Sequence, residues 1–399
     1  MINSPAGKLR RLATRAAINL AIPESKREAT GKTLEDAGSI GSDAVKQSVS
    51  ALEDHIARIR GGSAKLTGED RKLIETSRRA GDKLVGEGAG AALSRSEEGA
   101  LEAIAVADGS RPALLLRGDE FDPGDSTIGD WAGKLKRLSG ALKIASQSVG
   151  RINIRGQHLG TGWIVRPGYV VTNRHVAQDI SEQPTEQTLT FNAKSDATIS
   201  FGHQADGVAR PMHPIKAIVF AGADYIDPWG SNIAKLDLAI LKLGPIGEEA
   251  LPPPLPTVLL PLSDTVAARE VFVLGYPGPT TASKLPESVV AELLGTEASL
   301  KRLSPGEIAL EVGQIDGDTE SRTIAHDATT LRGSSGSAIL GFDQNRNPLM
   351  LGLHFGGHEV RYGPKGVVEY RGRNFAHSFA AMDKVIAAVD AAVAADRAR

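Results

Sequence analysis

The chain has 399 residues, of which 41% are hydrophobic and 24% charged, so it can bury a full core and is too long for one ordinary small domain. Lys+Arg 46 against Asp+Glu 48 gives a formal net charge of -2, which offers no electrostatic footprint for nucleic acid or an anionic membrane, and neither is expected as a partner. The absence of cysteine excludes disulfides, thiolate metal sites and a cysteine nucleophile; it fits a reducing cytosol, with secretion as the alternative.

The first 22 residues are basic with a short apolar stretch from Ala16 to Ile22, but they lack the long hydrophobic core and small-residue cleavage site of a secretory signal. No run approaches the roughly 20 apolar residues that span a bilayer, so a soluble protein is expected. Residues 1–147 read as a mostly helical accessory region. The clearest helix runs near Asp43 to Arg60, where Val45, Val49, Leu52, Ile56 and Ile59 recur at three- and four-residue steps and form a stripe that needs a covering surface. A second helix should start at Thr67, with Asp70 three residues on in a weakened capping box, and break near Gly86 to Gly90. Leu101 to Val106 continues as helix up to Pro112, and Ala113 to Leu116 reads as a short buried strand. Asp122-Pro123-Gly124 turns the chain, and a helix from Trp131 to Ser146 leads directly into a strand at Val149.

From residue 148 the period changes. Short apolar runs bounded by Gly, Pro and Asn follow one another: Gly162–Val165, Tyr169–Thr172, Leu189–Asn192, Lys216–Phe220, Asp237–Leu243, Val271–Leu274, Ile308–Val312, Ser337–Leu340 and Leu349–His354. Their spacing suits a barrel or sandwich. Phe379, Met382, Ile386, Val389 and Val393 then share a stripe on a C-terminal helix expected to pack back onto the strands.

Three residues in this region carry chemistry in the order base, carboxylate, nucleophile. His175 follows two strands and a turn in Thr172-Asn173-Arg174-His175-Val176. Asp237 opens the apolar run Leu236-Asp237-Leu238-Ala239-Ile240-Leu241, where a buried acid has to find a hydrogen-bonding partner. An imidazole N–H supplies one and is thereby fixed in the useful tautomer; Asp179, Asp224 and Asp227 are the competing acids. Ser335 lies in Gly333-Ser334-Ser335-Gly336-Ser337, a turn whose amides at Gly333 and Ser335 can face a developing oxyanion. A serine hydroxyl is weak at neutral pH and needs a base within reach. Taken alone, the Gly/Ser string reads equally well as a plain hairpin loop.

These stretches, with Gly160-Thr161-Gly162-Trp163, Gly275-Tyr276-Pro277-Gly278 and Gly352-Leu353-His354-Phe355-Gly356-Gly357, resemble the trypsin-like, chymotrypsin-fold serine peptidases, closest to the bacterial V8-like glutamyl endopeptidase branch. The resemblance covers about residues 148–390 and implies a mainly β fold: two six-stranded antiparallel β-barrels with the His175, Asp237 and Ser335 triad in the cleft between them. It implies a peptidase domain at 148–399, an acyl-enzyme route, a protein or peptide substrate, and no metal or organic cofactor. In the V8-like branch the places held here by Thr330 and His354 bind an acidic side chain, which implies cleavage after Glu or Asp. Ser334 and Ala338 depart from residues common in the family, although neither touches the triad.

Arg332 would add positive charge near the cleft, His326 and Asp327 would support the nucleophile loop, and His158, His203, His213, His358 and His377 show no metal-ligand spacing. The competing reading is a catalytically silent double barrel that binds peptides or acts as a scaffold. The helical region is expected to act as a pro-segment, as a lid, or as an adaptor that binds a protein partner through the Val45–Ile59 stripe.

Overall fold

A computed structural model describes residues 42–398 apart from 88–90, 108–110, 126, 185–188, 192–195, 203–204, 206, 209–210, 228–231, 245–250, 256–269, 279–298, 316, 331–332, 358–359, 362–366 and 369–373. The chain opens with three helices, α1 (Ser42–Arg60), α2 (Gly68–Glu87) and α3 (Arg95–Ala107). The stripe of α1 is buried against the other two: Val45, Val49, Leu52 and Ile56 share one cluster with Leu73, Ile74 and Leu84 of α2 and with Leu101 and Ile104 of α3. That surface is therefore covered within the chain; the side chain of Ile59 lies outside the described residues. Both later helices start on reciprocal caps. The Thr67 amide donates to Asp70 Oδ2 at 2.6 Å while the Asp70 amide donates to Thr67 Oγ1 at 3.2 Å. At α3 the Ser94 amide donates to Glu97 Oε2 at 2.7 Å and the Glu97 amide to Ser94 Oγ at 3.3 Å, which starts this helix six residues ahead of the sequence expectation.

Strands β1 (Leu114–Arg117) and β2 (Glu120–Phe121) form a hairpin, and α4 (Ala132–Gln147) follows. Six strands then close into the first barrel: β3 (Val149–Ile154), β4 (Gln157–Arg166), β5 (Tyr169–Thr172), β8 (Ala197–Ser200), β9 (Met212–Ala221) and β10 (Ala239–Leu243), in the ring order β10-β5-β4-β3-β8-β9. A short helix α5 (Arg174–Asp179) and a hairpin of β6 (Ser181–Pro184) with β7 (Leu189–Phe191) interrupt them.

The second barrel closes in the order β11-β14-β15-β18-β13-β12 and back to β11. Its strands are β11 (Glu270–Gly275), β12 (Arg302–Leu310), β13 (Thr323–His326), β14 (Ala338–Phe342), β15 (Pro348–Gly357) and β18 (Asn374–Ser378). A small hairpin of β16 (Val360–Arg361) with β17 (Val367–Val368) precedes β18, and the chain ends in α6 (Asp383–Arg397). Two six-stranded antiparallel barrels with helices at both ends are the fold that the motifs implied. Among the described residues, no helix is long and apolar enough to cross a membrane.

Strand alternation decides which core each side chain joins. Ile164 and Val170 point into the first barrel with Leu241, whereas Trp163, Val171 and Ile240 point outward. Val271 and Val273 fill the second barrel, and Phe272 and Leu274 point out of it. The outward set stays apolar because it is covered: one continuous cluster unites it with Trp131, in the 3₁₀ turn Gly129–Trp131, with Leu135, Leu138 and Leu142 of α4, and with Val389 and Val393 of α6. Trp131 meets Phe272 edge-on at 5.9 Å, and Trp163 meets Phe379 at 5.6 Å.

The segment just before the barrels is stitched to both of them. Leu114 of β1 pairs with Leu303 of β12. The fully buried Lys301 ammonium donates to Asp119 Oδ1 at 2.9 Å, to the Ser146 carbonyl at 2.7 Å and to the Phe201 carbonyl at 3.2 Å. Residues 114–147 thus share the core of the barrels, whereas α1–α3 have a core of their own.

Candidate active site

His175 sits in the first turn of α5, one residue after a buried Arg174 whose Nε donates to the Gly222 carbonyl at 2.7 Å. Asp237 is in the loop two residues ahead of β10, where the sequence had suggested the head of the strand itself. Leaving the ladder early frees its carboxylate to turn toward the helix. Asp237 Oδ1 accepts the His175 backbone amide at 2.9 Å, and Oδ2 accepts the ring Nδ1–H at 2.6 Å. A carboxylate can only accept, so the neutral ring carries its proton on Nδ1 and leaves Nε2 as a base.

The backbone that carries this carboxylate is itself held. Asn173 Nδ2 donates to the Asp237 carbonyl at 2.9 Å, and the Asp237 amide donates to His377 Nε2 at 2.9 Å. Accepting that bond requires an unprotonated Nε2, and the surroundings of His377 keep it so. Burial pushes its pKa down to about 3 despite the opposing pull of Asp237. Its ring stacks on Phe355 with centroids 4.3 Å apart.

Burial alone would lower the His175 pKa, but the Asp237 charge and hydrogen bond outweigh it and the net shift is upward from 6.5. For Asp237 burial acts to raise the pKa, and the His175 charge with its ring and amide hydrogen bonds carries it below the usual carboxylate range. A protonated imidazole cannot accept a proton, so activity that uses His175 as base is lost as pH falls through its pKa. The acid limb of kcat/KM against a neutral peptide is therefore expected above pH 6.5, and a limb centred below that value would contradict the arrangement.

The Ser335 turn belongs to the second barrel and reaches across to the first. Gly333 has φ 93 and Gly336 φ 86, and a side chain at either would collide: a Cβ on Gly333 would lie 2.4 Å from the Gly278 backbone, and one on Gly336 1.9 Å from the Thr161 carbonyl oxygen. The Ser337 amide closes the turn on the Ser334 carbonyl at 3.0 Å. The Gly336 amide donates to the His354 carbonyl at 2.9 Å and the His354 amide returns to the Ser337 carbonyl at 3.0 Å.

The Thr161 amide of β4 donates to the Ser335 carbonyl at 2.7 Å. A Cβ on neighbouring Gly160 would lie 3.1 Å from that same carbonyl and 2.8 Å from Val176, the residue after His175. The serine turn is thus brought against the helix that carries the histidine, at the seam of the barrels. Ser335 Oγ makes no hydrogen bond to the imidazole among the described residues; in substrate-free enzymes such bonds are often long and tighten on binding. The amides of Gly333 and Ser335 donate to no other described residue.

The carbonyl of Gly333 is anchored from the first barrel. Arg151 Nε, always a donor, meets His158 Nδ1 at 3.0 Å, so the His158 proton sits on Nε2 and is donated to the Gly333 carbonyl at 3.2 Å.

His354 is buried in β15 with its Nδ1 3.4 Å from Nε2 of His326 on β13. Burial first, then the charges of His326 and His175, push the His354 pKa well below 6.5, so the ring is neutral near pH 7. Half-buried Thr330 lines a cavity behind the turn with Ala113, Gly275, Pro277 and Ser334. Arg332, His203 and His358 lie outside the described residues.

Sequence reasoning passed over three contributors. His158, His326 and His377 were read only for metal spacing or general loop support, and each meets a group distant in the chain: the Gly333 carbonyl, the His354 ring and the Asp237 amide. His377 sits on β18, a strand whose run Asn374-Phe375-Ala376-His377-Ser378 is buried throughout and shows no alternation.

Residues 160–347, a stretch that holds His175, Asp237 and Ser335, match the family model described as a trypsin-like peptidase domain. A probable serine protease of Lysobacter enzymogenes is 30% identical over 316 residues, covering 75% of this chain and 77% of that protein. Similarity of that extent is longer than the two barrels and reaches into the region before them.

Proposed function

The chain belongs to the trypsin-like serine peptidases, and from that membership we propose that its serine endopeptidase activity runs through His175, Asp237 and Ser335. The observation that carries this reading is the double contact of Asp237 with the backbone and ring of His175, beside the glycine-flanked Ser335 turn. Ser335 Oγ attacks the scissile carbonyl carbon while its proton passes to His175 Nε2. Asp237 keeps the ring in that tautomer and offsets the imidazolium charge. The amides of Gly333 and Ser335 receive the oxyanion as it forms. Collapse expels the amine, which leaves with the proton from His175. Water then repeats the sequence on the acyl-enzyme and releases the carboxylic acid with Ser335 restored. A fluorophosphonate probe tests the reading: mass mapping is expected to find it on Ser335 alone, and a chain that neither labels nor cleaves peptides would refute it.

The same reading assigns the first specificity pocket to Thr330 and His354, with Glu or Asp preferred before the cut. Because His354 is neutral in the free protein, a substrate carboxylate meets an imidazole N–H and the Thr330 hydroxyl before it meets a charge. An anion beside the ring favours its protonated form, so acid should strengthen binding of Glu more than of Gln. The ratio of kcat/KM for matched Glu and Gln peptides is expected to rise as pH falls from about 8 to about 6. A flat ratio, or no preference for acidic residues in a peptide-library profile, would remove His354 from that role.

A further inference from the structure

The buried groups left over by this mechanism include one ion pair that joins the region before the barrels to the nucleophile loop. Arg111 is fully buried, and Asp327, eight residues before Ser335, is buried beside it. Their contact is a two-pronged fork: Arg111 Nε donates to Asp327 Oδ1 at 2.7 Å and a terminal guanidinium nitrogen donates to Oδ2 at 2.6 Å. Glu307 lies 3.6 Å from the same guanidinium, and the Trp131 ring centroid 6.0 Å from its carbon.

Other bonds make the contact a node. Asp327 Oδ1 also accepts the Glu307 amide at 2.7 Å, and the Asp327 amide donates to the Glu307 carbonyl at 3.1 Å, which fixes the acid to β12. Thr329 Oγ1 donates to the Arg111 carbonyl at 2.7 Å, so the arm grips the loop at a second point. Arg302 donates to the Ala113 carbonyl at 2.8 Å, and Ala113 then lines the cavity shared with Thr330 and Ser334.

We propose that Arg111 is a positioning residue for catalysis: the arm at 111–113 holds Asp327 and Thr329, and through them sets the turn that presents Ser335 and the pocket wall at Thr330. A buried guanidinium is costly unless its fork is filled, so the arm and the loop settle together or not at all. A turn that must aim two amides and a hydroxyl at one carbonyl loses rate steeply with small displacement; about 1 Å can cost on the order of 10²-fold. The region before the barrels therefore contains a strut of the catalytic centre, and the three-helix cluster is tethered to the chain just ahead of that strut. This proposal rests on the Ser335 reading, and its test separates the two.

The experiment uses full-length protein and compares wild type, Arg111→Ala, Arg111→Lys and Thr329→Val. Three readouts are taken: fluorophosphonate labelling rate, kcat and KM on a peptide, and hydrogen exchange of the amides from 327 to 337. Arg111→Ala is expected to lower labelling rate and kcat together, by about 10-fold to 10²-fold. Guanidinium ion well below denaturing concentration should restore part of that loss, Arg111→Lys should fall between, and exchange from 327 to 337 should speed up. Thr329→Val, which removes only the hydroxyl bond to the arm, should slow labelling several-fold in a fully folded chain.

The proposal is overturned if folded Arg111→Ala labels as fast as wild type, if its exchange over 327–337 is unchanged, or if guanidinium restores nothing. Where Arg111→Ala does not fold, Thr329→Val decides: wild-type labelling and exchange would sink the strut. Failure of the Ser335 reading looks different, as a wild-type chain that does not label, and the exchange comparison then still decides on the strut.

Discussion

Replacing Ser335 by alanine is expected to remove the activity almost entirely, by about 10⁴-fold to 10⁶-fold in kcat with KM little changed, and to abolish fluorophosphonate labelling. The reason is that the hydroxyl is the atom that bonds to substrate, while the groups around it stabilise a charge that then never forms in the same place. His175→Ala is expected to cost a similar factor, because an unassisted serine hydroxyl holds its proton at neutral pH. The double variant should be no worse than either alone. Groups that act as one unit are lost together at the first deletion, so non-additivity is the signature of a shared step. Folding should be nearly untouched by Ser335→Ala, since the turn is held by Gly333, Gly336 and the Ser337–Ser334 bond. Variants whose losses multiply would show that the two residues act in separate processes, and unchanged turnover in Ser335→Ala would end the triad assignment.

Asp237→Asn should preserve the fold and still lower kcat by about 10⁴-fold near neutral pH. Both carboxylate oxygens are in use, one on the His175 amide and one on Nδ1–H. The asparagine amide has one acceptor atom to offer where two are needed. If its oxygen stays on the backbone amide, its NH2 faces Nδ1 and drives the ring into the tautomer with the proton on Nε2, which cannot receive the Ser335 proton. The raised pKa of His175 should fall at the same time, because the charge that opposes its desolvation is gone. The acid limb of any residual activity then moves to lower pH. A loss of less than tenfold, or a limb that stays in place, would mean that the carboxylate does not govern the imidazole.

Much of this centre was legible because its parts make local backbone demands. A turn that needs glycines at 333 and 336, a histidine in the first turn of a helix after two strands, and an acid beside an apolar strand each write themselves into a handful of consecutive residues. Their order then matches a known family. The barrels were legible as short apolar runs, and the stripe on α1 as a helix with a buried face. Less was visible where local signals were mixed. The start of α3 was set too late because its first turn is a polar run without an apolar stripe, although Ser94 and Glu97 together form a capping box. The strand that carries His377 was missed because its five residues are buried on both faces and do not alternate.

Arg111 and Asp327 stand 216 residues apart, and nothing near either in the chain marks them as partners. Arg111 reads alone as a solvated charge, the usual state of Arg, and Asp327 only as support for the nucleophile loop, with no partner indicated. Closure of the second barrel and docking of β1 on β12 take both out of water, and a charge without water has to be matched. The same holds for His158, His326 and His377, whose roles depend on which ring nitrogen meets the Gly333 carbonyl, the His354 ring or the Asp237 amide. The sequence by itself determined the kinds of element and the family, and it pointed to the three residues proposed as the reacting set, since propensity, periodicity and turn chemistry act over a few residues. Tertiary structure alone decided what holds that set in place, because desolvation assigns partners to buried polar groups only after the strands have closed around them.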